Sequence, residues 1–152
     1  MSDKVIIYTD GGCRHNPGPA AIGVVIQDPS GLQLATISHY IGLGTNNQAE
    51  YQAVIAGLKK AQLLGAISVE MRADSQLIVE QLNGRYKVKD TALQPLFQEA
   101  SALSRRFQSF SIHHIPRNMN READKLACQA LDRHAAEKPE PNPSAHQTTL
   151  NL

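Results

Sequence analysis

The stretch Val5 to Gly12, VIIYTDGG, decides how this chain folds. From Val5 to Thr9 the residues are almost wholly apolar, the pattern of a strand buried on both faces. Asp10-Gly11-Gly12 is expected to stop that strand, which leaves an acid at its carboxyl end. Moving outward, Asn16 to Pro19 (NPGP) is a turn by composition. Ala21 to Gln27 and Leu32 to Ile41 are predicted strands joined across Asp28 to Gly31, a hairpin signal. From Asn46 to Leu64 the period becomes helical, with Val54, Gly57, Leu58 and Ala61 on one stripe and Gly65 as the stop.

Ile67, Val69, Met71 and Ala73 alternate with polar residues, which predicts a further strand. Asp74-Ser75 then opens a short helix through Leu82. Thr91 to Phe107 is a predicted helix, with Pro95 tolerated near its first turn. Phe110 to Ile115 is a last strand, on which one of His113 and His114 should face the core. Asn120 to about Ala136 is the final helix. The order β-β-β-α-β-α-α-β-α implies an α/β fold: a mixed five-stranded sheet, an antiparallel meander followed by parallel strands, flanked by helices. One domain is expected over residues 1–137, with a Pro-rich tail over residues 138–152. Within that tail Thr148 to Leu152 (TTLNL) reads either as a short docked strand or as a frayed end.

Bulk properties exclude several classes. A length of 152 residues, 41% hydrophobic and 19% charged, suits one globular domain. No apolar run approaches the roughly 20 residues that span a bilayer. Two cysteines, Cys13 and Cys128, make no disulfide scaffold, and a cytoplasmic protein is expected. A formal net charge of +1 is unlike a dedicated, strongly basic nucleic-acid module. Any polyanion contact must then be local, mediated by divalent ions, or salt-sensitive.

Four acids stand at element ends: Asp10, Glu50, Asp74 and Asp124. Asp10 and Asp74 close strands, where ligands of open α/β sheets tend to bind. Glu50 shares the apolar stripe of its helix and should point towards the sheet. Asp124 borders the apolar face of the final helix. Each acid alone is compatible with a turn or with complementing a helix dipole. Converging on one sheet edge, they form an oxygen-only donor set suited to Mg²⁺ or Mn²⁺ rather than zinc. That chemistry points to phosphodiester hydrolysis with two metals roughly 3.5–4 Å apart.

The blocks TDGGCRHNPGPAAIGVVI, TNNQAEYQAVIAGL, ADSQLIVEQLNG and IPRNMNREADKLA, spanning about Lys4 to Leu131, resemble the four signature blocks of type 1 ribonuclease H. The resemblance implies a stand-alone endoribonuclease that cleaves the RNA strand of an RNA–DNA hybrid and leaves 3′-hydroxyl and 5′-phosphate ends. It implies Asp10, Glu50, Asp74 and Asp124 as ligands of two Mg²⁺ (or Mn²⁺) ions per site, with Asp10 bridging. Glu50 is also implied to accept a hydrogen bond from the 2′-hydroxyl next to the scissile phosphate, which would make RNA the cleaved strand. Cys13, Asn16, Asn46, Asn47 and Gln76 match positions that read hybrid sugars and bases, and Thr45 matches a DNA-strand phosphate contact. Thr45, Asn46 and Asn47 are equally candidates for the cap of the helix they open. The expected partner is an RNA–DNA hybrid, with no membrane and a monomeric protein. The alternatives from other classes are a catalytically weak hybrid-binding module and a different nuclease on the same fold.

This chain departs from the family pattern in two places. Family members often carry a histidine in the loop before the last catalytic Asp, where this chain has Arg117 with Asn118 and Asn120. Arg117 is therefore a candidate for steering the leaving phosphate. Many relatives also insert a basic, tryptophan-rich handle, whereas here Asn83 to Lys89 (NGRYKVK) runs almost directly into the next helix and Trp is absent. Arg85, Lys87 and Lys89 are either a reduced handle or a solvated loop. Hybrid binding should be weaker and more salt-dependent than in handle-bearing relatives. Cleavage rates measured from low to moderate salt should fall steeply, and a flat profile would contradict this.

Overall fold

The computed structural model describes residues 3–137. The proposed tail over residues 138–152, with its TTLNL segment, lies outside the described residues. The elements in chain order are β1 (Lys4–Cys13), β2 (Gly18–Gln27), β3 (Gln33–Gly44), α1 (Asn46–Leu63), β4 (Ser68–Ala73), α2 (Gln76–Leu82), α3 (Gln94–Ser104), β5 (Ser109–His114) and α4 (Arg121–Glu137). A single 3₁₀ turn, Arg117–Met119, precedes α4. The strands form one mixed sheet in the order β3-β2-β1-β4-β5. β1 is antiparallel to β2 and parallel to β4, and β5 is parallel to β4. The expected fold class is the one observed.

The helices cover the sheet from opposite sides. α1 packs against Ile7, Thr9 and Val24 through Gly57, and α4 reaches Gly23, the neighbour of Val24 that faces the other way. Gly23 has no Cβ because α4 occupies that space: an ideal Cβ would lie 1.9 Å from the Ala123 carbonyl oxygen. Gly11 does the same for α1, where a Cβ would lie 2.2 Å from the Ala49 oxygen. These two glycines bring both helices within backbone contact of the central strands. The main core gathers Val5, Ile7, Val24, Ile26, Tyr51, Leu58, Val69 and Met71 between the sheet and α1.

Three local expectations are corrected. β1 does not stop at Asp10: Gly11, Gly12 and Cys13 continue it, paired with Ile22, Ala21 and Ala20 of β2. Its parallel partner β4 pairs only as far as Thr9, so Asp10 leaves the two-sided part of the sheet while its strand runs on. α3 begins at Gln94 rather than Thr91, because Asp90 organises a turn, its carboxylate accepting from Ala92 N (2.8 Å) and its carbonyl from Leu93 N (3.0 Å). His113 and His114 are both exposed, since they end the edge strand β5.

Candidate active site

The carboxyl ends of β1 and β4 lie side by side, and this adjacency makes the site. Thr9 pairs with Ala73, so the next residue of each strand is an acid, Asp10 and Asp74. Glu50 reaches them from the first turns of α1. It is buried (8% exposed), and its Oε1 accepts a 2.5 Å hydrogen bond from Gly11 N. Asp10, Glu50 and Asp74 each present a carboxylate oxygen, and these oxygens lie within 4.8 Å of one another. Asp124, exposed in the first turn of α4, stands outside that triad but near enough for its charge to act on Asp10.

Assembling like charges has an electrostatic consequence. Burial pushes the Asp10 carboxyl up to about 7, the Glu50 contact opposes it, and the charges of Asp74 and Asp124 add to it. Burial, followed by the Asp10 charge, also holds Glu50 well above the ordinary carboxylate range. A divalent cation would reverse both effects, and the donors are all hard oxygens. The residues therefore fit Mg²⁺ or Mn²⁺, with Asp10, Glu50 and Asp74 as the holding set and Asp124 beside it.

Three predicted substrate residues meet at the start of α1. Asn46 Oδ1 accepts from Cys13 N (2.9 Å) and faces Cys13 Sγ (3.3 Å), while Asn16 Oδ1 accepts from Asn46 N (3.1 Å). Cys13, Asn16 and Asn46 thus tie the β1–β2 loop to the start of α1. Thr45 is the cap of α1: its hydroxyl accepts from Gln48 N (3.1 Å) and the Gln48 side chain accepts from Thr45 N (2.9 Å), a capping box. Asn47 is half-buried on the first turn of α1, and Gln76 is exposed at the start of α2. Arg117 is exposed on the 3₁₀ turn, and its carbonyl accepts from Asn120 N (3.0 Å). Asn120, read from sequence only as a loop residue opening the last helix, is buried and contacts Asp74.

Beyond the site, Arg85 is paired with Glu80 (2.9 Å), while Lys87 and Lys89 are exposed. Among the described residues no helix is long and apolar enough to cross a membrane.

A mixed sheet carrying clustered acids at its strand ends makes a candidate divalent-metal site, and the family described as reverse transcriptase-like matches residues 8–130. The chain is 44% identical to ribonuclease HI of Halobacterium salinarum over 129 residues, 85% of this chain and 65% of that protein. The crystal structure of that archaeon's RNase H1 superposes with a TM-score of 0.84, covering 86% of this chain and 98% of the other. LC11-RNase H1, solved in complex with an RNA/DNA hybrid, gives a TM-score of 0.82 at 45% identity, covering 86% of this chain and 98% of the other. A bifunctional protein of Mycobacterium tuberculosis is 46% identical over 131 residues, and there the match spans only 36% of the relative's length. The chain belongs to the type 1 ribonuclease H family.

Proposed function

We propose that this chain is an endonuclease that hydrolyses the RNA strand of RNA–DNA hybrids, leaving 5′-phosphate and 3′-hydroxyl ends. The observation that carries the reading is the carboxylate triad Asp10, Glu50 and Asp74. Two Mg²⁺ or Mn²⁺ ions, when bound, would supply an activated water and charge stabilisation for the departing oxygen. Asp10, Glu50, Asp74 and Asp124 would hold them. The buried Glu50 also presents a carboxylate oxygen to a substrate 2′-hydroxyl. The interlocked Cys13, Asn16 and Asn46, with Asn47 and Gln76, contact sugars and bases, amides being suited to this because they donate and accept. Thr45 takes a DNA-strand phosphate at the amino end of α1, where backbone N–H groups favour anions. Residues 1–137 form the catalytic domain of a cytoplasmic, monomeric protein. An intact acid cluster argues against a silent binding module, which needs no such cluster.

The test is cleavage of an end-labelled RNA–DNA hybrid with Mg²⁺, Mn²⁺ or EDTA, with product ends identified, for the wild-type protein and Asp10→Asn. Equal cleavage by both proteins refutes the proposal. Arg117 steers the leaving phosphate from the loop before α4. Arg117→Ala should lower kcat by about 10²-fold, the low end of what a side chain positioned at the reacting group contributes. KM should change far less, and steady-state kinetics showing an unchanged kcat would remove Arg117 from the site.

A further inference from the structure

Asn120 is a buried polar residue whose side-chain oxygen has no hydrogen-bond partner among the described residues. It directly precedes α4, a position where an Asn side-chain oxygen normally accepts from the helix's first N–H groups. Here its backbone carbonyl starts the helix, accepting from Asp124 N (3.1 Å), but the side chain turns away from α4. Nδ2 donates to the Thr9 carbonyl (2.8 Å) and to Asp74 Oδ2 (3.0 Å), although the residue is only 1% exposed. Both of these partners are pure acceptors, so the amide nitrogen must face them. Oδ1 is buried with no partner among the described residues. An oxygen in that state is unfavourable, which makes the donor side the reason for the residue.

The connections span the whole site. Thr9 is the residue before Asp10, Asp74 is at the end of the neighbouring strand, and Asp124 is one turn into the helix that Asn120 opens. One amide therefore links the strand bearing Asp10, the carboxylate of Asp74 and the helix bearing Asp124. We infer that Asn120 is a positioning residue that fixes the Asp74 carboxylate and docks the start of α4, so that the acids are preset to receive divalent ions. The inference rests on the proposed metal-dependent activity and deepens it.

Mn²⁺ binding, measured by calorimetry without substrate, is the primary readout. Asn120→Ala should raise the dissociation constant by about tenfold or more, the usual consequence of removing a group that orients a metal ligand. In cleavage kinetics kcat should fall by at least about tenfold while KM for the hybrid stays within about twofold, as expected of a residue that acts through the metal site. In an Asp74→Asn background, Asn120→Ala should cause a smaller loss of Mn²⁺ affinity than in wild type, because the carboxylate it fixes is already gone and only its docking of α4 is left to lose. Circular dichroism checks folding, and if the Ala protein does not fold, Asn120→Ser, which keeps one donor, replaces it with a smaller expected effect. Mn²⁺ affinity within twofold of wild type in a folded Asn120 variant, or an undiminished loss in the Asp74→Asn background, overturns the inference. Full hybrid cleavage by Asp74→Asn alone would instead overturn the functional reading.

Discussion

Asp10→Asn is expected to abolish hybrid cleavage and, in the same protein, to raise the melting temperature when divalent ions are removed. The activity loss should reach about 10³-fold or more, as for residues that act as one unit with their neighbours. The gain in stability follows from the direction of the Asp10 shift. Its carboxyl titrates at about 7 in the folded chain against an ordinary value of 3.8, because burial and then Asp74 and Asp124 oppose its charge. Between those values the folded state binds more protons than the unfolded one, so stability falls as pH rises from about 4 to about 7 and stays low above. An amide at position 10 carries no charge and removes that loss. In EDTA at pH 8 the variant should melt higher than wild type by about 3 °C or more, the shift that ~1 kcal/mol produces in a domain of this size. The wild-type melting temperature should decline between pH 5 and pH 8, and the Asn variant should decline less. Glu50, shifted in the same direction, keeps part of the slope but loses its Asp10 repulsion. Added Mg²⁺ should stabilise wild type more at pH 8 than at pH 5, since protons compete for the same oxygens. A variant that melts below wild type in EDTA at pH 8 would show that the acids are not mutually strained.

How much of this was legible depends on how far each signal travels along the chain. The run from Val5 to Thr9 announced a central strand because burial on both faces leaves a continuous apolar trace. The helical stripe likewise aimed Glu50 at the sheet, where its Oε1 meets Gly11 N. The continuation of β1 to Cys13 was hidden, because Asp-Gly-Gly reads locally as a turn while the pairing that holds it comes from Ala20 to Ile22. His113 and His114 defeated alternation for a similar reason: only the sheet order places them at the end of an edge strand. Asn120 looked like a residue opening a helix, and its actual partners are 111 and 46 residues away in the chain. Thr45 was separable from Asn46 and Asn47 as the cap only once the reciprocal bonds with Gln48 were in view.

The adjacent glycines of the Asp-Gly-Gly motif should behave very differently when a methyl group is added. At Gly11 an ideal Cβ lies 2.2 Å from Ala49 O, 2.3 Å from Ala49 C and 2.6 Å from Glu50 N, all backbone atoms of α1. No rotamer change relieves such a clash, so α1 must move away from β1 or the strand must bend. At Gly12 the nearest atom is Asn46 Oδ1 at 3.7 Å, an ordinary contact. Gly11→Ala should therefore cost about 3 kcal/mol, the upper end of overpacking penalties. In thermal melts that is a loss of about 6–12 °C for a domain of this size. Gly12→Ala should stay within about 1 kcal/mol of wild type, with the lower backbone entropy of its unfolded chain favouring stability. The Gly11 variant should also lose activity out of proportion to its stability, because the turn that shifts is the one carrying Glu50. A displacement of about 1 Å there is enough for roughly a 10²-fold loss. Adding hybrid or Mg²⁺ cannot restore that loss if the carboxylate is displaced. Equal melting temperatures for the two variants would mean that α1 does not rest on Gly11, and full activity in a folded Gly11→Ala protein would mean that the position of Glu50 tolerates the shift.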